Sequence, residues 1–299
     1  MKTAPLVFGL GQCSLDYIGK AAAYPPPDTK CEFTDMAIQG GGPVATALVA
    51  LSRWGLRCYM AGNVGDDEFG EKITVSLDAE GVDTSGIIVR NGCSSQFAFI
   101  VSEEQGGRRT IFWQRPTGKP LQPDELDLAV LKRSRLLHTD GLFTEAALFA
   151  CRQAREAGIP VIVDGGTLRE GMLDIARFSD CFIASETFSR SLGPDPVESC
   201  RILAGLGVNF AGVTLGANGY VALANGRIIK KPAYPSRAID TTGCGDVFHA
   251  GVIYGLVRGW TAEKCLDCGA WAAALVSAKT GGRSGIPTRQ ELQDRNAFF

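Results

Sequence analysis

The stretch Asp240-Thr241-Thr242-Gly243-Cys244-Gly245-Asp246 decides how the rest of this chain is read. Gly243 and Gly245 can take backbone angles closed to other residues, and they let a ligand approach the main chain. The apolar run that follows, residues 247–257, is long enough for a buried helix, whose positive end then falls just after Gly245. Helix N-termini with free N–H groups bind phosphate. Asp246 in the first turn is favoured as a carboxylate, yet it repels a bound phosphate unless it exchanges a proton, which suits a general base for an incoming hydroxyl. Alone, the stretch also reads as an N-cap and glycine turn with an ordinary first-turn aspartate. Companion motifs have to separate the two readings.

The first companion is Gln39-Gly40-Gly41-Gly42-Pro43-Val44-Ala45-Thr46, a glycine turn leading into small residues, with Pro43 placed for a first helical turn. The Gly-Lys-Ser/Thr ending of a Walker A loop occurs nowhere, which excludes a P-loop nucleotide site. Tight helix packing accounts for the small side chains but not for three consecutive glycines, each of which costs entropy on folding.

With 299 residues, 45% of them hydrophobic and 21% charged, the chain can build one large α/β domain. Short apolar runs at 6–9, 58–62, 136–139, 161–164, 181–184 and 210–215 alternate with helical patterns at 44–54, 69–77, 145–156 and 197–206, and this alternation predicts a parallel sheet covered by helices. Two stretches break the rhythm. Residues 17–38 carry a Pro25-Pro26-Pro27 turn, and residues 87–113 read as strands 96–102 and 109–113 around a turn at 103–107. Together they predict a small antiparallel sheet inserted into the main domain as a lid, or else surface hairpins without a gating role.

Thirty basic against 32 acidic residues leave a net charge of −2, with no footprint for nucleic acid and no polybasic membrane patch. No apolar run reaches the ~20 residues of a membrane span, and the opening residues do not read as a signal peptide, so a cytoplasmic location and small-molecule partners are expected. The ten cysteines are scattered and read as small buried hydrophobes; Cys265 and Cys268 form a lone C-x-x-C inside a helical pattern, without a second pair for zinc.

Taken together, Gly41-Gly42 near the start and residues 240–246 near the end resemble the two signatures of the PfkB or ribokinase family of sugar kinases. Asp16, residues 62–70 (Gly-Asn-Val-Gly-Asp-Asp-Glu-Phe-Gly) and residues 213–219 (Val-Thr-Leu-Gly-Ala-Asn-Gly) also match family segments, so the resemblance spans the chain. It implies a ribokinase-like three-layer α/β/α fold with a mostly parallel sheet, as one kinase domain over residues 1–299 with lid insertions about 14–38 and 88–115. It implies ATP-dependent transfer of a phosphoryl group to a primary hydroxyl of a small sugar, with Asp246 as base and the amides of Gly243, Cys244 and Gly245 stabilising charge. Such transfer asks for positioning and charge neutralisation more than covalent catalysis. Asp16, Gly41, Gly42 and Thr46 are the implied sugar-binding positions, joined by Lys30 and Gln114 on the lid. ATP is assigned to Thr214, Gly216 and Gly219 and to the neighbourhood of Ser277 and Gly282, although Gly216 and Gly219 can equally form a hairpin turn. Mg²⁺ is assigned to Glu186, with Asp164 as an aid, and a monovalent cation such as K⁺ to Asp240 and Thr242. Lid-to-lid homodimerisation is a further expectation, through Phe97, Phe99, Ile111 and Trp113.

Departures from the family pattern fall on the substrate side. Thr46 stands where a sugar-binding asparagine is expected, and Ser185-Glu186-Thr187-Phe188 replaces an Asn-x-x-Glu. The glycine clusters look most like the sulfofructose kinase branch, whose lysine Lys30 matches, but the arginine expected just after Asp140 falls at Leu142 and the lid asparagine at Gln114. Arg108 and Arg109 read as a solvated basic turn, with anion binding as the other reading. Two other functions compete: a catalytically inactive sugar or nucleotide sensor on the same fold, and an NAD-dependent oxidoreductase, which rests on Gly9-Leu10-Gly11 alone.

Overall fold

The computed structural model describes residues 4–104 and 108–297; the turn expected at 103–107 therefore lies partly outside the described residues. The chain opens with β1 (Leu6–Leu10), β2 (Ser14–Ala21) and β3 (Asp35–Gly41), followed by α1 (Pro43–Arg53), β4 (Arg57–Gly65), α2 (Glu68–Ala79) and β5 (Val82–Arg90). Strands β6 (Phe97–Glu103) and β7 (Arg109–Gln114) precede α3 (Leu128–Lys132). Strands and helices then alternate as β8 (Leu136–Thr139), α4 (Thr144–Glu156), β9 (Val161–Gly165), α5 (Met172–Ala176), β10 (Cys181–Ser185), α6 (Glu186–Leu192), α7 (Pro196–Gly205) and β11 (Phe210–Thr214). The hairpin strands β12 (Tyr220–Ala224) and β13 (Arg227–Lys231) lead to α8 (Cys244–Val257), α9 (Ala262–Ser277) and α10 (Arg289–Ala297).

Nine strands form one sheet in the order β13-β12-β11-β10-β9-β8-β1-β4-β5, parallel from β11 to β5 and antiparallel at the β12 and β13 edge. Its central strands are apolar on both faces because helices cover both. All five residues of β1 are buried; Val7 faces a core shared with α1, α8 and α9, while Phe8 and Leu10 face a second core under α4, α5 and α7. Helix α8 is buried continuously from Val247 to Gly255, and a Cβ on Gly251 would stand 2.5 Å from the Gly269 Cα, so α8 and α9 cross with their backbones in contact. Side-chain caps open three of the helices: the Asp67 side chain accepts from Gly70 N to begin α2, Ser185 accepts from Phe188 N to begin α6, and Asp195 accepts from Val197 N to begin α7.

The smaller sheet runs β3-β2-β6-β7. β2 pairs antiparallel with β3, and β6 with β7, but β2 and β6 run parallel, so the sheet is mixed where an antiparallel one was expected. The reason lies in the connections. β2 leaves the end of β1 and β6 follows the end of β5, two parallel strands of the large sheet, so both depart in the same direction. Residues 87–90 belong to β5 in the large sheet, and the second inserted segment starts beyond them. Phe99, Ile111, Phe112 and Trp113 are exposed, whereas Phe97 is half-buried against Phe69 and Phe99. Seven of the ten cysteines are buried as expected, with Cys265 and Cys268 inside α9; Cys31 is exposed, and Cys93 and Cys244 are intermediate. Among the described residues no helix is long and apolar enough to cross a membrane.

Candidate active site

Residues 240–246 form a turn whose shape is set by Asp240, 1% exposed. Its Oδ1 accepts from Thr242 N at 2.9 Å and Thr242 Oγ1 at 2.7 Å, and its Oδ2 accepts from Gly281 N at 2.8 Å. Gly243, with φ 74°, caps α8 from the left-handed region, and a side chain there would run into the backbone of Gly282. The helix begins at Cys244, two residues earlier than the sequence implied. First-turn amides of a helix have no intrahelical acceptor. Here the Cys244 amide turns to Thr241 O at 3.3 Å, and Gly245 is exposed with open space around its Cα, so the amides of Gly243, Gly245 and Asp246 are the ones the turn offers to an anion. Ser277 supports the turn from behind, its carbonyl accepting from the amides of Ile239 at 2.8 Å and Asp240 at 3.2 Å.

Asp246 follows in the first turn of α8. Burial pushes its carboxyl well above the usual range, and the nearby carboxylates of Asp164, Asp16 and Asp140 push it the same way, while Arg109 opposes them. These four acids come from different places: Asp140 follows β8, Asp164 lies near the end of β9, Asp16 is in β2, and Asp246 is in α8. All except Asp246 are at most 8% exposed. They gather outside the carboxyl ends of the parallel strands, where ligands bind in open α/β sheets. Burial also raises Asp140 to about 6, against hydrogen bonds from Gln12 N and Leu142 N, both 2.9 Å. Asp16 is likewise raised to about 6 by burial, opposed by the Ser14 hydroxyl at 2.8 Å and by Arg283.

The glycines after β3 have local reasons. A side chain on Gly41 would overlap the Asp16 carboxylate, and Gly42, with φ 96°, lies against the backbone of Gln12 and Cys13. Thr46 sits in the first turn of α1, 2% exposed. Gln114 ends β7 opposite Phe97. Lys30 is exposed in the β2–β3 connection and makes no hydrogen bond or ion pair among the described residues. Thr214 ends β11 beside Ser185, and Gly216 and Gly219 close the antiparallel turn into β12, so the hairpin role is real whatever else they do. Gly282 packs on Gly243. Glu186 opens α6 and pairs with Arg190 at 2.6 Å.

Several neighbours were not singled out from sequence. His249, one turn beyond Asp246, lies with Nδ1 2.8 Å from Gly245 O and 3.4 Å from Asp164 Oδ2, and with Nε2 3.2 Å from Ile183 O. Arg169 donates to Asp140 O at 2.9 Å, bringing a guanidinium to the place where Leu142 had left none expected. The basic pair divides: Arg108 pairs with Glu103 at 2.9 Å, while Arg109, exposed at the start of β7, donates to the Thr241 hydroxyl. Position was the available signal for Asp140 and Asp164, since each closes a predicted parallel strand. Gly9 and Gly11 are explained without a dinucleotide: β1 continues into β2 instead of a helix, and side chains there would strike Leu48, Val44 and Asp140.

Residues 4–289 match the family described as pfkB family carbohydrate kinase. Fructokinase-1 of Zea mays is 27% identical over 96% of this chain and 96% of its own length, and the ribokinase of Bacillus subtilis (strain 168) is 25% identical over 95% and 97%. A ribokinase structure from Thermotoga maritima superimposes with a TM-score of 0.83 at 21% identity, covering 98% of this chain and 99% of that one. The chain belongs to the pfkB family of carbohydrate kinases. It is an ATP-dependent phosphotransferase with a ribokinase-like fold.

Proposed function

We propose that this protein transfers the γ-phosphoryl group of ATP to a primary hydroxyl of a small sugar or sugar derivative, as one kinase domain with the four-stranded sheet as its lid. The observation that carries the reading is Asp246, a carboxylate with a raised pKa set beside open first-turn amides. As the acceptor oxygen attacks phosphorus, Asp246 takes its proton, the new P–O bond forms, and the bond to the leaving ADP breaks. The amides of Gly243, Gly245 and Asp246 receive charge on the transferring group, with Cys244 shaping the turn. Asp16 accepts hydrogen bonds from sugar hydroxyls above Gly41 and Gly42. Thr214, Gly216 and Gly219 lie along the ATP phosphates, and Ser277 and Gly282 border the adenine side. Relatives named fructokinase and ribokinase support a small sugar as acceptor.

Among the described residues no three His, Cys, Asp or Glu side chains form a metal cage. Asp164 and Glu186 are the carboxylates that would hold Mg²⁺, which when bound neutralises charge on the phosphates. Asp240 has three donors of its own already, so its first role is to shape the turn; its remaining lone-pair site and the Thr242 carbonyl are what a K⁺ ion would use. A second copy of the chain would cover the exposed lid residues Phe99, Ile111 and Trp113. ADP release measured with Mg²⁺-ATP across pentoses, hexoses, ketoses, nucleosides and anionic sugars tests the reading: one sugar should stimulate release strongly, and absence of stimulation by every acceptor would sink it.

A further inference from the structure

Arg283 is 5% exposed, yet it forms no ion pair among the described residues. Its Nη1 donates to Ser76 Oγ at 3.2 Å, its Nε has no partner, and its carbonyl accepts from Arg53 Nη1 at 2.7 Å. A buried cation left without a carboxylate is costly, so something nearby must balance it. Glu80 supplies part of that balance and Asp16, across β3, another part. A Cβ on Gly40 would stand 2.5 Å from Arg283 Nη1 and 2.7 Å from Nη2, while a Cβ on Gly41 would overlap the Asp16 carboxylate. Successive residues of a strand point to opposite faces, so the guanidinium rests on one face of β3 and the carboxylate on the other, separated only by backbone. Any side chain at either glycine would push one charge away.

We propose that Arg283 is a positioning residue which, acting through the Gly40-Gly41 backbone, keeps Asp16 ionised as an acceptor for the substrate's hydroxyls. The inference rests on the kinase reading for the role of Asp16, but not for the charge coupling itself. Asp16 needs such help. It is buried, Asp246 faces it from α8, and Ser14 Oγ is its one side-chain donor among the described residues. Around Arg283 stand Glu80 after α2, Asp16, Arg53 in α1 and the buried Cys13 thiol; Glu80 pairs with Arg53 at 2.5 Å and also acts on Arg283 more strongly than Asp16 does, so the Arg283 charge is shared between the two carboxylates.

Aspartate carboxyl carbons labelled with ¹³C allow Asp16 to be titrated by NMR without any ligand, its signal assigned by its loss in Asp16→Asn. The wild-type carboxyl should titrate near 6, the value its burial gives. Arg283→Met should move that midpoint up by about one unit, a tenfold change in the proton affinity, whereas Arg283→Lys should keep it within about half a unit. Superimposable titrations in wild type and Arg283→Met would overturn the proposal, as would an equal shift in Arg283→Lys. If Arg283→Met fails to fold, Gly40→Ala, which displaces the guanidinium, gives the same readout, and an unmoved midpoint there is equally fatal. Because no substrate enters the measurement, a failed titration and a failed ADP-release screen are separate results.

Discussion

The Asp240 carboxylate and the Gly281 amide, 41 residues apart, meet at 2.8 Å and tie the start of the anion turn to the loop behind it. Truncation to alanine leaves that amide and both Thr242 donors buried without a partner, at about 1–3 kcal/mol for each unsatisfied group. Asp240→Ala is therefore expected to lose about 3 kcal/mol or more in urea denaturation and most of its turnover, and wild-type stability in that variant would contradict the assignment.

Asp246→Asn should reduce kcat by about 100-fold to 10,000-fold, the usual contribution of a positioned base, with the KM for ATP changed little. As the proposed base, the same residue should set the acid side of the pH profile. Burial and three neighbouring carboxylates raise its pKa, and only the ionised form accepts a proton, so kcat should fall on acidification at a pH well above the ordinary carboxylate range. Steady-state turnover in both proteins from pH 5 to 9 checks this; an unchanged acid limb in Asp246→Asn would remove it as base.

Asp16 carries an opposite signature in stability. Its folded pKa is raised from 3.8 to about 6, so the folded protein holds this proton more tightly than the unfolded chain. The ionisation penalty is absent below pH 3.8, grows between 3.8 and 6, and is complete above 6, where it amounts to about 3 kcal/mol. Asp16→Asn should accordingly raise Tm at pH 8 by several degrees, have no effect near pH 4, and weaken sugar binding. A destabilised variant at pH 8 would show that the carboxylate is held by favourable contacts instead.

Arg109 reaches the anion turn from the lid, through the Thr241 hydroxyl. A guanidinium offered to a transferring phosphoryl group stabilises charge that develops in the transition state. Arg109→Ala is expected to lower kcat by about 100-fold or more while the sugar KM changes less. A raised sugar KM with normal kcat would limit Arg109 to fastening the lid.

How much of this was legible in the sequence follows from the range of the signals. The strands and helices of the large sheet could be read because alternation and apolar runs are local, and the Gly243 and Asp246 turn could be read because glycine and first-turn aspartate have local consequences. The direction of β6 against β2 could not, since it depends on which strand ends the inserted segments leave. Arg109 could not be told from Arg108 because nothing within ten residues distinguishes them; its partner Thr241 lies 132 residues away. Arg169 and His249 were missed for the same reason, each meeting its aspartate only after the parallel strands are laid side by side.

The lid sheet meets the anion turn at two points on the same end: Ser102 in β6 donates to Ile239 O at 3.1 Å, and its cross-strand partner Arg109 donates to Thr241. The other ends of that sheet are held to the large one by the short links after β1 and β5. Swinging the sheet outward must break both contacts and carry a positive charge away from Asp246, whereas swinging it back restores them. On the proposed kinase reading, with this sheet as the lid, one mechanical coordinate would govern both solvent access and the electric field at the reacting phosphorus, and a substrate that brought the sheet down would also switch on the charge that its own reaction needs.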